Sequence, residues 1–90
     1  MRTPVYTRQF GRDVKRLRRR GRDFEEFRVV VRALVAGEPL DAAYREHKLV
    51  GPFKGRRECH VEPDWLLIYK VTRGSIIFER TGTHADLFRS

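Results

Sequence analysis

At 90 residues the chain is long enough for one small domain, spanning residues 1–90 and burying about 60 to 65% of its unfolded surface, and too short for a second. Lys and Arg number 20 against 12 Asp and Glu, a formal net charge of +8; polyanions are the natural partners, and arginine's planar fork ranks nucleic acid above an anionic membrane. A 40% hydrophobic content excludes a disordered chain, the lone Cys59 excludes an internal disulfide, and neither an export signal nor a spanning segment is visible, so a cytoplasmic protein with no membrane partner is expected.

Pro4, Val5 and Tyr6 form a short candidate strand. Thr7 then stands where a helix N-cap belongs, and Phe10, Val14 and Leu17 recur at helical spacing until Gly21. Arg8, Arg12, Lys15 and Arg19 line the outer face of this helix. Arg16, Arg18 and Arg20 join them near its end, where cations suit the negative pole of the helix dipole. This is the densest basic patch, and Arg16, Arg18 and Arg19 are its candidate phosphate contacts.

A second helix is expected from Asp23, with Glu26 at the spacing of a capping box and Phe27, Val30, Val31 and Leu34 in one stripe, until Gly37 and Pro39 stop it. Only Gly21, Arg22 and Asp23 separate the two patterns, so the helices should form an antiparallel hairpin that buries both stripes on a common sheet. Beyond the connection Glu38 to Asp41, strands are expected over His47 to Val50, Arg56 to Val61, Trp65 to Thr72 and Ser75 to Thr83. Their turns lie at Gly51 to Gly55, Glu62 to Asp64 and Arg73-Gly74. Connections this short favour antiparallel pairing. The expected fold class is α+β, an N-terminal two-helix hairpin packed on a small, mainly antiparallel sheet.

The stretch ECHVEPDWLLIY, residues 58–69, sets His60 and Asp64 on either side of Val61, Glu62 and Pro63. If Arg73-Gly74 is a two-residue hairpin loop, Asp64 lands opposite Thr83; if Gly74 makes a bulge after a type I turn, it lands opposite Gly82. Either register carries Asp64 close to His84. Strand parity from Ile76 and Phe78 puts Arg80 on the same side as His84, so a guanidinium and an imidazole converge near one carboxylate. His47 lies one strand from His60, at a spacing of about 4.8 Å. Three histidines, an aspartate and an arginine can form an acid–base pocket, because imidazoles titrate near neutrality.

The same residues also have plain structural readings: histidines near strand ends and a turn aspartate beside proline. Trp65 reads as core or rim packing, and Phe88 either caps the sheet or stacks on a base. Zinc is disfavoured, because Cys59 and His60 are adjacent in a strand and point to opposite faces, and no C-x-x-C or H-E-x-x-H pair anchors an ion. Nothing marks Cys59 as an activated thiol.

H-x-L-x-G, E-C-H-V-x-P-D-W-L-L-I-Y and R-T-G-T-H-x-D-L-F stand in order from His47 to Phe88. In these segments the chain resembles the YafQ-type toxins of the RelE/ParE superfamily, ribosome-dependent messenger-RNA endonucleases of bacterial toxin–antitoxin pairs. The similarity covers nearly the whole chain and implies the RelE-like version of the fold above. It implies an active site of His47, His60, Asp64 and His84, with Arg80 binding phosphate, Phe88 positioning the RNA, Trp65 in support, and neither metal nor cofactor. It also implies three partners: an acidic cognate antitoxin, the ribosome and messenger RNA.

The implied reaction is attack by an RNA 2′-hydroxyl on the adjacent 3′-phosphate, leaving a 2′,3′-cyclic phosphate and a 5′-hydroxyl. His84 is the acid, Asp64 with His60 the base and orienting pair, and Arg80 the stabiliser of phosphorane charge, with the two proton-transfer roles open to exchange. The alternative keeps the fold and drops the chemistry: a ParE-like toxin inhibiting a DNA-handling enzyme, or a basic nucleic-acid-binding module. Neither has a use for convergent imidazoles and a carboxylate.

Overall fold

Thr7 caps the first helix as its sequence position requires, its Oγ1 accepting the Phe10 amide at 3.0 Å. The computed structural model describes residues 1–88. In chain order these form β1 (Thr3–Tyr6), α1 (Arg8–Arg19), α2 (Glu25–Ala36), a 3-10 turn (Ala42–Tyr44), β2 (His47–Lys48), a second 3-10 turn (Gly51–Phe53), β3 (Arg57–Glu62), β4 (Trp65–Val71), β5 (Ser75–Gly82) and α3 (His84–Phe88). The sheet runs β1-β5-β4-β3-β2. Every pair is antiparallel except β1 with β5, which gives the mainly antiparallel α+β architecture expected. Among the described residues no helix is long and apolar enough to cross a membrane.

Alternation along β4 decides what each face does. Trp65, Leu67 and Tyr69 point to the helices and share a core with Phe10, Leu17, Phe24, Phe27, Val30 and Leu34. Leu66 and Ile68 point the other way and pack with Leu87 of α3, edged by Leu49 and Phe53. A strand buried on both faces reads as a continuous apolar run, and the second cluster seats α3 on the face opposite the helices.

Four local expectations need correction. The Asp23–Glu26 capping box does not form: α2 is capped at Phe24 without a side-chain bond, while Asp23 accepts the Glu25 amide at 3.0 Å and Glu26 bonds the Tyr44 hydroxyl. The strand expected from His47 to Val50 is only His47–Lys48, because Gly51-Pro52 turns the chain into the second 3-10 turn. The segment after Thr83 is helical, with Thr83 and Asp86 in a reciprocal cap: the Asp86 amide donates to Thr83 Oγ1 at 3.1 Å and the Thr83 amide to Asp86 Oδ2 at 3.0 Å.

The fourth concerns register. The hairpin is tight at its turn, Thr72 N–H donating to Ser75 O at 2.9 Å. Further along, Tyr69 faces Phe78 but Ile68 faces Arg80, so Glu79 is an extra, bulged residue. Past the bulge the phase of β5 inverts. Thr81, three residues after Phe78, shares the helix side and accepts the Trp65 indole N–H at 2.9 Å, while Arg80 shares the side of Ile68. The expected meeting of Arg80 and His84 on one carboxylate is not built, because Arg80 bonds Asp13 while His84 pairs with Asp64.

β1 ends at Tyr6 and covers the edge of β5 only as far as Phe78. Beyond it α1 supplies Asp13, whose side chain has no exposed surface. Its carboxylate accepts the Thr81 amide (3.1 Å), Arg80 Nε (2.8 Å) and Nη2 (3.3 Å), Arg16 Nη2 (3.1 Å) and Gln9 Nε2 (3.1 Å). Asp13→Ala would leave two guanidiniums and a strand amide without their partner, and should lower the unfolding free energy by about 3 to 5 kcal/mol. Urea denaturation reads this as a fallen midpoint at constant slope. A loss below about 1 kcal/mol, the level of a surface pair, would show that the freed groups simply rehydrate.

Candidate active site

The three histidines stand in a row on the sheet face opposite α1 and α2. His60 pairs with Leu66 across β3 and β4, which puts it on that face, and Glu58 two residues earlier shares it. The ring centroids of His47 and His60 are 6.1 Å apart, those of His60 and His84 5.9 Å. The row continues to Phe88, 6.5 Å from His84, whose ring meets Phe53 edge-on at 5.6 Å and stays 43% exposed.

His47 is aimed by the turn before it. Arg45 sits at φ +53°, rare for a non-glycine residue, and its carbonyl lies 2.9 Å from His47 Nδ1. On the other side of the ring, Nε2 is 3.4 Å from Glu58 Oε1. The same carboxylate oxygen lies 3.8 Å from His60 Nε2. Glu58 is thus a buried charge between two imidazoles, a residue that sequence reasoning left without a role although its spacing from His60 put it on the same strand face.

His60 is mostly covered, and its Nδ1 is buried without a protein partner among the described residues. Burial lowers its pKa, with the positive fields of Arg45, His47 and His84 adding to the shift, and the opposing pull of Glu58 does not reverse it. The ring is accordingly biased towards its neutral form.

His84 and Asp64 form the closest pair of the site. Asp64 Oδ1 accepts the His84 amide at 2.9 Å and lies 2.6 Å from His84 Nδ1. The His84 backbone bond, followed by the ring bond, holds the Asp64 carboxyl below its ordinary range. Either expected register carried Asp64 close to His84, as found, although neither set the two directly opposite each other. The Glu79 bulge advances β5 by one residue, and the cap of α3 turns the His84 amide onto the β3–β4 turn. Gly82 permits the approach: it sits at φ +154°, and a Cβ there would lie 2.9 Å from Asp86 Oδ2.

The remaining expected site residues do not join the row. Trp65 has no exposed surface and packs on Phe24 and Phe27 at 5.1 and 5.5 Å, with the Arg22 guanidinium over it at 5.3 Å; strand parity places it in the core and out of reach of RNA. Arg80 carries the Ile68-side phase but spends Nε and Nη2 on Asp13, leaving Nη1 without a hydrogen bond among the described residues. Arg16 is shared between Asp13 (3.1 Å) and Asp86 (3.7 Å), Arg18 lies over Phe24 at 4.6 Å, and Arg19 is exposed. These three belong to α1, on the far side of the sheet from the histidines. Cys59 faces the helix core, and burial pushes its thiol up to about 12, which suits packing and not nucleophilic attack. Among the described residues no three His, Cys, Asp or Glu side chains converge as a metal site.

The lowered pKa of His60 has a thermodynamic sign. Its folded value lies below the ordinary value of about 6.5, so the neutral ring suits the fold above that pH, and protonation of the ring opposes the fold as pH falls through the folded midpoint. NMR titration should place the His60 ring midpoint below about 6.5, and His60→Gln should flatten the dependence of unfolding free energy on pH in that window. A midpoint at or above the ordinary value would mean that Glu58 outweighs burial.

The family model described as the YafQ bacterial toxin of type II toxin–antitoxin systems matches residues 2–89. The "mRNA interferase toxin YafQ" of Escherichia coli strain K12 is 46% identical over 84 residues, covering 92% of this chain and 91% of that protein. Among solved structures, the E. coli DinJ-YafQ complex matches with a TM-score of 0.91 at 45% identity, over 98% of this chain and 99% of the other. A metal-bound toxin from Helicobacter pylori matches at 0.91 and 36% identity, over 98% and 100% of the two chains. The match runs over the capped α3, the histidine row and the helix core alike, and the chain belongs to the YafQ family of bacterial type II toxins.

Proposed function

We propose that this YafQ-family toxin is an endoribonuclease, an mRNA interferase that cuts messenger RNA on the ribosome, in the cytoplasm, by metal-free acid–base chemistry at the histidine row. The curated E. coli relative supports the reaction class by its name. The observation that carries the mechanism is the Asp64–His84 pair at one end of a row whose middle member, His60, has an unpartnered ring nitrogen.

His60, biased towards its neutral form by burial and standing between His47 and His84 with Glu58 behind it, accepts the 2′-hydroxyl proton. The 2′-oxygen attacks the adjacent phosphorus, the bond to the 5′-oxygen breaks, and His84 gives that oxygen its proton from Nε2. Asp64 holds the opposite nitrogen of His84 and stabilises the charged ring before transfer. The base role thus goes to His60 with Glu58 behind it, and Asp64 serves the acid. Arg80 is the phosphate contact through Nη1: in the linked network three guanidiniums, of Arg16, Arg20 and Arg80, face two carboxylates, of Asp13 and Asp86, so Asp13 does not cancel the positive charge that Arg80 offers the phosphorane. Phe88, exposed beside His84, stacks on a neighbouring base.

Ribosome dependence follows from openness. His47 and His84 side chains are 49% and 55% exposed, so the outer histidines do little by themselves to hold RNA in line for attack, and a surface that already holds the messenger supplies the orientation. Arg18 and Arg19, on the opposite face, suit the phosphates of that surface. A cognate antitoxin with acidic segments is the other partner, in keeping with the complex formed by the E. coli relative.

The test is single-turnover cleavage on programmed ribosomes with a chelator present. His84→Ala and Asp64→Asn should each lose about 10²- to 10⁴-fold, and the double variant much less than the product. The downstream fragment should carry a 5′-hydroxyl. Near-wild-type cleavage by either folded single variant, a 5′-phosphate end, or activity lost to chelation and restored by zinc would overturn the reading.

A further inference from the structure

We propose that Arg20 and Asp86 form a positioning clamp between α1 and α3 that holds His84 in register with Asp64. The proposal rests on the reading of His84 as the acid and adds to it residues that contact no RNA. Helix α3 has five residues, far too few to persist alone in water, where helices shorter than about 12 residues are marginal. Its first residue nevertheless has to present both amide and ring to Asp64 at hydrogen-bonding distance.

Three devices fix that turn. Leu87 anchors its inner side against Leu66 and Ile68. The Thr83–Asp86 cap closes its start. The third is ionic: Arg20, the capping residue at the C-terminus of α1, donates to Asp86 Oδ2 at 2.8 Å and Oδ1 at 3.0 Å, with Arg16 Nη1 3.7 Å from Oδ1. Asp86 is 12% exposed, and the Arg20 bond holds its carboxyl well below the usual carboxylate range. One carboxylate therefore takes both the cap amide and a bidentate guanidinium. The hydrophobic anchor fixes the depth of α3 and leaves it free to pivot about Leu87; the fork of Arg20 removes the pivot. His84 sits two residues from Asp86 in the same turn, so rotation there moves its ring directly off Asp64.

Arg20 is 44% exposed, so its loss should leave the fold intact and be felt as geometry. Arg20→Gln should lower kcat on programmed ribosomes by about 10- to 100-fold, the cost of an ångström-scale misplacement, with KM and the melting temperature little changed. Arg20→Lys, which keeps the charge and loses the fork, should recover part of kcat. Asp86→Asn should also lower kcat, and the double variant should be no worse than the poorer single. Independently of activity, the Nδ1–H proton resonance of His84, the mark of its bond to Asp64, should be present in the wild type and weakened or lost in Arg20→Gln.

An intact His84 resonance with wild-type kcat in Arg20→Gln would overturn the clamp. So would a raised KM with kcat unchanged, accompanied by a lowered KM in Asp86→Asn, the pattern of an arginine that only binds RNA phosphate. If His84→Ala cleaves like the wild type, the catalytic reading fails instead, and the His84 resonance in Arg20→Gln still decides the clamp.

Discussion

The structure depends most on one carboxylate with no access to water. Asp13 lies where β1 has run out and the edge of β5 would otherwise be bare, and it replaces the missing strand by accepting the Thr81 amide. A lone ionised group there would be prohibitively costly; with two guanidiniums, an amide and Gln9 around it the charge is compensated. Through Arg80 it fixes the side chain that follows the bulge, and through Arg16 it connects to Asp86 and so to α3. Helix α1 is in this way tied to the C-terminal end of β5 and to the short helix that follows it and carries His84.

Much of this fold can be read directly from the residues. The Thr7 cap, the Gly37 stop and the doubly apolar run of β4 each have a local physical signature, and each behaves as that signature demands. The histidine row was legible too, because alternation and neighbouring-strand spacing place His47 and His60 without long-range information. What was not legible is instructive. Asp13 stands between Phe10 and Leu17 on the inward stripe of α1, but a carboxylate at that position names no partner, and only the end of β1, a fact of topology, brings the Thr81 amide and Arg80 to it. The basic patch misled for the same reason: Arg16 and Arg20 look like free phosphate contacts until the folded chain brings Asp13 and Asp86 to them.

Trp65 and Arg80 show a different limit. Both stand in the segments that carry the family resemblance, yet Trp65 is enclosed and Arg80 is largely committed to Asp13. A motif records that a residue matters without saying whether it touches the substrate or holds up what does. Glu58 is the converse, a charge sitting between two imidazoles with nothing in its local sequence to announce it beyond strand parity. The capped start of α3 did carry a signal, Thr83 followed by Asp86 at capping-box spacing, although the strand pattern running up to Thr83 obscured it.

The extra residue at Glu79 has a consequence for how reliably the hairpin finds its partner. An ordinary β-ribbon can slide by two residues and still keep every apolar side chain on the correct side, which makes such shifts a common source of misfolded and aggregating forms. Here β5 is composed of two half-strands of opposite phase: Ile76 and Phe78 are buried before the dislocation, and Thr81 meets the Trp65 indole after it. A slip of one residue exposes Phe78; a slip of two moves the phase change past Ile68 and leaves the indole without its acceptor. Only one alignment satisfies both halves at once, so the irregularity that sets up the catalytic end also works as a key, cut so that the ribbon locks in a single position.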